Sequence, residues 1–287
     1  MKGIVLAGGK GTRLHPMTLS VSKQLMPIYD KPMIYYPLST LIGAGIHDIL
    51  IISTPEDLPL FKRLLGDGSQ WGCCFSYAEQ VEPKGLAEAF LIGESFINNA
   101  PVALILGDNL FHGSEMKRQL SNLGAIDGGH VFAYHVKDPE RYGVVEFDQN
   151  NKAIGLEEKP QNPKSSYAVP GIYFYDATVV EKAKALAPSS RGELEITEIN
   201  KAYLKEGKLH VTPLEAGSAW LDTGTIESLM EASQYVQALQ SRRGILVGSP
   251  EVAAYNSQAI SKEELFKLVA KMEKTTYGEA IKAVTRK

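Results

Sequence analysis

Lys2 to Ala7 (KGIVLA) is a short apolar run that breaks into glycine, and it constrains the fold more than any other feature of the chain. A parallel strand covered on both faces reads as a continuous apolar stretch, and glycine marks where it feeds a loop at its carboxyl end. From there the pattern alternates. Met33 to Ala44 reads as a helix, Asp48 to Ser53 (DILIIS) as a strand, Glu56 to Leu65 as a helix and Phe75 to Ala78 as a strand. Leu86 to Ile97 then reads as a helix and Val102 to Leu106 (VALIL) as a strand. Strands separated by helices of about ten residues predict βαβ units in a doubly wound, mostly parallel α/β sheet.

After Asp108 the texture changes. Val131 to Val136, Val144 to Phe147 and Gly171 to Tyr175 lie close together, interrupted by the turn residues Asp127-Gly128-Gly129 and Gln149-Asn150-Asn151. This predicts a small antiparallel insertion beside the main sheet. Helical periodicity at Leu194 to Leu204 and Ile226 to Leu239 flanks a strand at Leu209 to Leu214. Residues 241–287 read as a helical appendage to the 1–240 domain and as a candidate oligomer contact. Within it, Ser261 before Glu263 and Glu264 predicts a helix start. The chain has no internal repeat, and in particular no hexapeptide periodicity.

Composition excludes several classes. With 44% hydrophobic and 22% charged residues, this is an ordinary globular profile. A formal net charge of −3 provides no general basic field, so neither nucleic acid nor an anionic membrane is an expected partner. No stretch approaches roughly 18 uninterrupted apolar residues, and the N-terminus lacks a signal-peptide pattern. Cys73 and Cys74 are adjacent and poorly placed for an intrachain disulfide. A reducing, cytoplasmic setting is expected.

Gly8, Gly9 and Gly11 stand with Lys10, Thr12 and Arg13 directly after the first strand, where backbone N–H groups can approach an anion without Cβ interference. That is phosphate-binding chemistry. It is not a Walker A loop, since no Gly-Lys-Ser/Thr closes it, and Leu14 stands where the dinucleotide fingerprint needs its third glycine. About ten residues later comes Ser22-Lys23-Gln24-Leu25-Met26-Pro27-Ile28-Tyr29-Asp30-Lys31-Pro32-Met33-Ile34. Together, Gly8-Gly9-x-Gly11-Thr12-Arg13-Leu14-x-Pro16-x-Thr18, Lys23, Pro27 and Lys31-Pro32-Met33 resemble the N-terminal signature of the sugar nucleotidylyltransferases. The spelling through Tyr35-Tyr36-Pro37-Leu38 is similar to the short glucose-1-phosphate thymidylyltransferases. The resemblance runs to about residue 240 and more loosely beyond.

The resemblance implies a Rossmann-like fold, with a nucleotide-binding part at about 1–110 and a sugar-binding part, the antiparallel insertion, at about 111–225. It implies that Gly8, Gly9, Gly11, Thr12, Arg13, Lys23 and Gln24 hold the triphosphate. Chemistry agrees, since a planar guanidinium grips two phosphate oxygens and a lysine serves as a mobile point charge. Asp108, in Gly107-Asp108-Asn109, follows a buried strand at the carboxyl end, where open α/β sheets place ligands. A carboxylate there suits Mg²⁺. The second metal carboxylate is expected at Asp222, in Asp222-Thr223-Gly224. In Gly155-Leu156-Glu157-Glu158-Lys159-Pro160 the family places a sugar-hydroxyl acceptor and a sugar-phosphate lysine, which carries over to Glu158 and Lys159, with Glu157 as the alternative acceptor. Asn109, Tyr142, Gly143 and Val169 correspond to further sugar contacts. Gln80 and Gly85 correspond to the nucleobase pocket, where an amide that both donates and accepts matches the N3–H and carbonyl of thymine or uracil alike. Arg13, Lys23 and Lys159 are the expected catalytic cations.

The implied reaction joins dTTP to glucose 1-phosphate by in-line attack on the α-phosphorus, with Mg²⁺ as cofactor, at the head of dTDP-rhamnose-type deoxysugar synthesis. A homotetramer inhibited by a dTDP-deoxysugar is the family's usual form. A triphosphate, a phosphomonoester and two aspartates total about −8, whereas one Mg²⁺ with Arg13, Lys23 and Lys159 returns about +5. Loop N–H groups, a second metal ion or Lys10 must meet the rest. Among competing readings, an aspartic protease needs a second Asp-Thr-Gly, a glycosyltransferase of similar fold usually shows Asp-x-Asp, and a silent regulatory paralogue is expected to lose Arg13, Lys23, Asp108 or Asp222. None of these fits. A uridylyltransferase is the remaining alternative.

Overall fold

The computed structural model describes every residue except Asn122, Asn151, Ala216, Arg286 and Lys287. Strand β1 (Lys2–Leu6) leads through short turns to the hairpin β2 (Pro27–Ile28) and β3 (Lys31–Pro32). Helix α1 (Tyr35–Gly43), β4 (Asp48–Ser53), α2 (Leu58–Leu65) and β5 (Cys74–Glu79) follow, then the short α3 (Glu88–Ile92) and α4 (Glu94–Ile97), and β6 (Val102–Leu106). β1 lies between β4 and β6, and β5 pairs with β4, all in parallel. Successive side chains leave opposite faces of a strand. Ile4, Leu50, Ile52, Val102 and Leu104 therefore pack with Phe90 of α3, whereas Val5, Ile49, Ile51, Ala103 and Ile105 pack with Leu38 and Leu41 of α1. Helices on both faces explain why these strands are apolar throughout, as the sequence predicts for a doubly wound sheet. The single helix expected over Leu86 to Ile97 is interrupted at Gly93.

The second half supplies β7 (Asn109–His112), α5 (Ser114–Ser121), β8 (Gly129–His135), β9 (Gly143–Phe147) and β10 (Ala153–Glu158). Next come β11 (Tyr167–Ala168), β12 (Ile172–Tyr175), α6 (Val179–Lys184), α7 (Ile196–Lys205), β13 (Leu209–Pro213), β14 (Ala219–Asp222) and α8 (Ile226–Arg243). The sheet order is β10-β9-β11-β8-β12-β6-β1-β4-β5, with β13 on β8. β12 returns antiparallel on β6, so the antiparallel strands are hydrogen-bonded onto the parallel core rather than set beside it. Every residue of β12 is buried, as an interior strand requires. Between β9 and β10, the Asp148 carboxylate accepts the N–H groups of Asn150 and Lys152 and closes the expected turn; its third residue, Asn151, lies outside the described residues.

The tail forms α9 (Pro250–Asn256), α10 (Lys262–Ala270) and α11 (Thr276–Val284). Ala254, Leu265, Val269 and Ile281 share one core cluster with Val5 and Ile49. The helix start expected at Ser261 is a reciprocal capping box with Glu264. Cys73 and Cys74 are both free. Among the described residues, no helix is long and apolar enough to cross a membrane.

Candidate active site

The carboxyl ends of β1 and β6 are drawn together at Gly107. Its N–H donates to the Leu6 carbonyl at 2.9 Å, and a Cβ there would stand 3.0 Å from that oxygen and from Gln24 Cγ. The close approach brings the glycine loop after β1 beside Asp108 after β6. Among the described residues, the N–H groups of Gly8 through Thr12 donate to no protein acceptor. Free amides grouped in this way form a concavity suited to an anion. Thr18 Oγ1 donates to the Gly11 carbonyl at 2.8 Å and braces the loop from behind.

Lys23 sits on a short 3₁₀ turn, almost fully buried, and its ammonium bonds the Asp108 carboxylate. Burial alone would raise the Asp108 carboxyl; the Lys23 ammonium outweighs it and holds the group below the usual carboxylate range. Gln24 is placed under the loop rather than in the open: Nε2 donates to the Gly8 carbonyl at 3.4 Å, and Oε1 accepts from Ser22 at 3.0 Å. Strands β7 and β14 form a separate two-stranded sheet whose register sets Asp222 opposite Asn109. Thr223 Oγ1 donates to the Asp108 carbonyl at 2.8 Å, tying the two aspartate segments together. Burial, and then the neighbouring Asp108 charge, raise the Asp222 carboxyl. Two carboxylates pressed into one end of a cleft call for a cation, and oxygen donors of this kind suit a hard divalent ion. Among the described residues, no group of three or more His, Cys, Asp or Glu side chains is placed to hold a metal.

A cleft of 520 Å³ opens from the aspartates. Its wall brings together Arg13, Asp108, Asn109, Tyr142, Gly143, Glu158, Lys159, Val169 and Asp222, residues scattered over two hundred positions of sequence. Glu158 Oε2 accepts from Thr197 Oγ1 at 2.5 Å, and a Cβ on Gly143 would stand 3.3 Å from the same carboxylate oxygen. Glu157 is exposed and absent from this wall, so alternation along β10 turns Glu158, and not Glu157, toward the cleft. Lys159 holds a left-handed φ of 44°, its N–H donating to the Tyr142 carbonyl at 3.0 Å. A lysine in that conformation carries on the order of 1 kcal/mol of strain, which the flanking strand pairing sustains. Asn109 is buried; Oδ1 accepts from Trp220 Nε1 at 2.6 Å and from Gly171 N at 3.1 Å, while Nδ2 donates to Asp108 Oδ1 at 2.8 Å.

Gly8, Gly9, Gly11, Thr12, Lys23, Gln24, Gln80 and Gly85 are not in the cleft wall, although Arg13 and Leu86, their neighbours in sequence, are. Gly85 has φ 103°, and a Cβ there would meet the Leu194 carbonyl at 2.5 Å, so only glycine fits. Lys84 O accepts from Leu194 N at 2.7 Å, and Leu194 O accepts from Ala87 N at 3.1 Å. This clamp couples the segment after Gln80 to the stretch that leads into α7 and carries Arg191 and Thr197 to the cleft wall.

Sequence reasoning missed Arg141, Arg191 and Thr197, all of which line the cleft. Arg191 pairs with Glu195 at 2.8 Å and approaches Glu158 at 3.4 Å; Arg141 approaches Asp222 at 3.4 Å. Arg191 lies in Ser189-Ser190-Arg191-Gly192, which reads as an exposed turn. Arg141 directly precedes Tyr142-Gly143, and that adjacency was the one signal available for it.

Residues 2–238 match the nucleotidyl transferase family model. A glucose-1-phosphate thymidylyltransferase from Mycolicibacterium smegmatis is 56% identical over 97% of this chain and 96% of its own. One from Neisseria meningitidis is 54% identical over the full length of both. In three dimensions, a Bacillus anthracis chain assigned to the same activity and crystallised with a sucrose superposes with a TM-score of 0.76, at 43% identity, over 82% of this chain and 94% of its own. The chain belongs to the nucleotidyl transferase family, in the branch that holds these glucose-1-phosphate thymidylyltransferases.

Proposed function

We propose that this nucleotidyltransferase joins dTTP to α-D-glucose 1-phosphate, forming dTDP-glucose and pyrophosphate, in a single Mg²⁺-dependent displacement. The observation that carries the reading is the arrangement of charge: free loop amides beside the paired aspartates, and a cleft leading from those aspartates to Glu158 with Arg141, Lys159 and Arg191 in its wall. In the proposed reaction, a phosphate oxygen of the sugar forms a bond to the α-phosphorus as the bond to the bridging β-phosphate oxygen breaks. No proton has to be removed, because the phosphomonoester is already anionic. The protein's work is therefore to orient the reactants and neutralise charge.

Asp108 and Asp222 would hold the Mg²⁺, which when bound neutralises phosphate charge and orients the oxygens it touches. Arg13, Lys23 and the amides of Gly8 to Thr12 bind the triphosphate; Lys159, Arg191 and Arg141 face the sugar phosphate; Glu158 accepts from a sugar hydroxyl. The two arginines supply positive charge that the sequence tally lacked, although Glu195 and Asp222 each hold part of it. Gln80 faces the base. Its amide serves uracil as well as thymine, so preference for dTTP over UTP rests on the activity named for the relatives. The same reading makes the protein a cytoplasmic homotetramer, regulated by a dTDP-deoxysugar. Exposed Leu19, Tyr29, Ile226 and Met230 support self-association, which would cover them.

Pyrophosphate release from glucose 1-phosphate, compared across dTTP, UTP, CTP, ATP and GTP with and without EDTA, tests the proposal. Fast release with dTTP, abolished by EDTA and by Asp108→Asn, is expected. No release with any nucleotide overturns the reading.

A further inference from the structure

Gln80 is 4% exposed at the end of β5. Its Nε2 donates to Glu88 Oε2 at 2.7 Å, and the same oxygen accepts the Lys84 N–H at 3.1 Å. An ionised carboxylate has no proton to give, so it holds the NH₂ end of an amide and repels the carbonyl end. A half-turn of the Gln80 amide would press two oxygens together. Oε1 therefore faces Gly8, where an added Cβ would stand 2.6 Å away. Among the described residues, nothing donates to Oε1. One Nε2 proton is committed to Glu88, which leaves the other, together with Oε1, for a ligand.

We infer that Glu88 is a positioning residue for nucleobase choice: it locks the Gln80 amide so that the site accepts from an imide N–H. The inference rests on the reading that Gln80 faces the base. Thymine and uracil present N3–H beside a carbonyl, which the locked amide matches with one acceptor and one donor. Cytosine presents a bare N3 lone pair, which meets Oε1 as a repulsion. A site built to satisfy a hydrogen-bonding edge rejects an analogue that cannot supply it, because its own buried polar atoms are then left unpaired. The lock separates imide pyrimidines from cytosine and is indifferent to the methyl group that distinguishes thymine from uracil.

The test compares kcat/KM for dTTP and for dCTP at saturating glucose 1-phosphate in the wild type, Glu88→Ala, Glu88→Gln and Gln80→Ala, with dCTP also measured as a competitive inhibitor. The two nucleotides share sugar and triphosphate, so their ratio isolates the base edge. In Glu88→Ala the preference for dTTP falls by about tenfold or more, the loss appears in the nucleotide KM, and the KM for glucose 1-phosphate stays put. Glu88→Gln keeps most of the preference, since its carbonyl still accepts from Gln80 and Lys84. Should the alanine variant not fold, Glu88→Met keeps the length without the acceptors and must show the same loss. A ratio unchanged in Glu88→Ala or Glu88→Met, or a fall shared equally by both nucleotides, overturns the inference. Gln80→Ala separates the two levels: if it leaves the ratio at the wild-type value, the reading of Gln80 itself fails, whereas collapse there without collapse at position 88 sinks only the lock.

Discussion

Asn109→Ala offers a stringent test of how the aspartate end of the cleft is built. The wild-type amide is buried, with Oδ1 shared between Trp220 Nε1–H and Gly171 N–H and with Nδ2 bonded to Asp108. Truncation orphans two buried donors. Each unsatisfied donor costs about 1–3 kcal/mol, so the loss is about 2–6 kcal/mol. Trp220→Phe removes one of those donors instead of stranding it, and should cost only about 1 kcal/mol by the hydrogen-bond term. Because Trp220→Phe deletes a group that Asn109→Ala strands, the double variant should lose at least about 1 kcal/mol less than the sum of the singles. Urea unfolding at fixed pH, with the slope checked for constancy, reads all three. A loss below about 1 kcal/mol for Asn109→Ala, or strict additivity in the double variant, would refute the shared-acceptor geometry.

Three further outcomes are expected. Arg191→Ala should raise the KM for glucose 1-phosphate by about tenfold while leaving the KM for dTTP near the wild-type value; a change confined to dTTP would move Arg191 to the other substrate. Gly85→Ala adds a Cβ against the Leu194 backbone at a left-handed φ and should cost at least about 3 kcal/mol in the same urea assay; a loss under about 1 kcal/mol would show that the clamp yields. His130 is lowered from 6.5 to about 4 by burial and then by His210. The unfolded chain therefore takes up a proton there between pH 6.5 and about 4 while the folded chain does not, so stability is full above pH 6.5 and declines as pH falls. Between pH 7.5 and 5.5 that group withdraws about 1.3 kcal/mol, which His130→Gln should abolish; an unchanged pH slope in that variant contradicts it.

The parallel core was legible because its strands are covered on both faces. Val102–Leu106 is an uninterrupted apolar run and Asp48–Ser53 encloses one between its polar ends, and the bounds of both strands in the structure are those read from the sequence. The glycine loop was legible as a local pattern of residue type and spacing, whereas Lys23 was singled out only through the family resemblance, and the short turn that buries it was not read from the sequence. Other features depend on pairings between distant segments that leave no local trace. β7 and β14 are four residues each and separated by more than a hundred positions, yet their register is what sets Asp222 near Asp108. Gly93 breaks the third helix between turns that both satisfy helical periodicity. Arg191 and Thr197 flank Leu194, which is clamped to the segment after Gln80, a contact invisible in either stretch alone.

The stereochemical outcome at the α-phosphorus tests the central claim most directly. With dTTP carrying a chiral α-thiophosphate and glucose 1-phosphate as acceptor, a single in-line displacement in this cleft predicts inversion of configuration in the dTDP-glucose analogue. Retention would require two displacements through a nucleotidylated side chain, and would contradict an account in which the protein only orients the reactants and neutralises their charge.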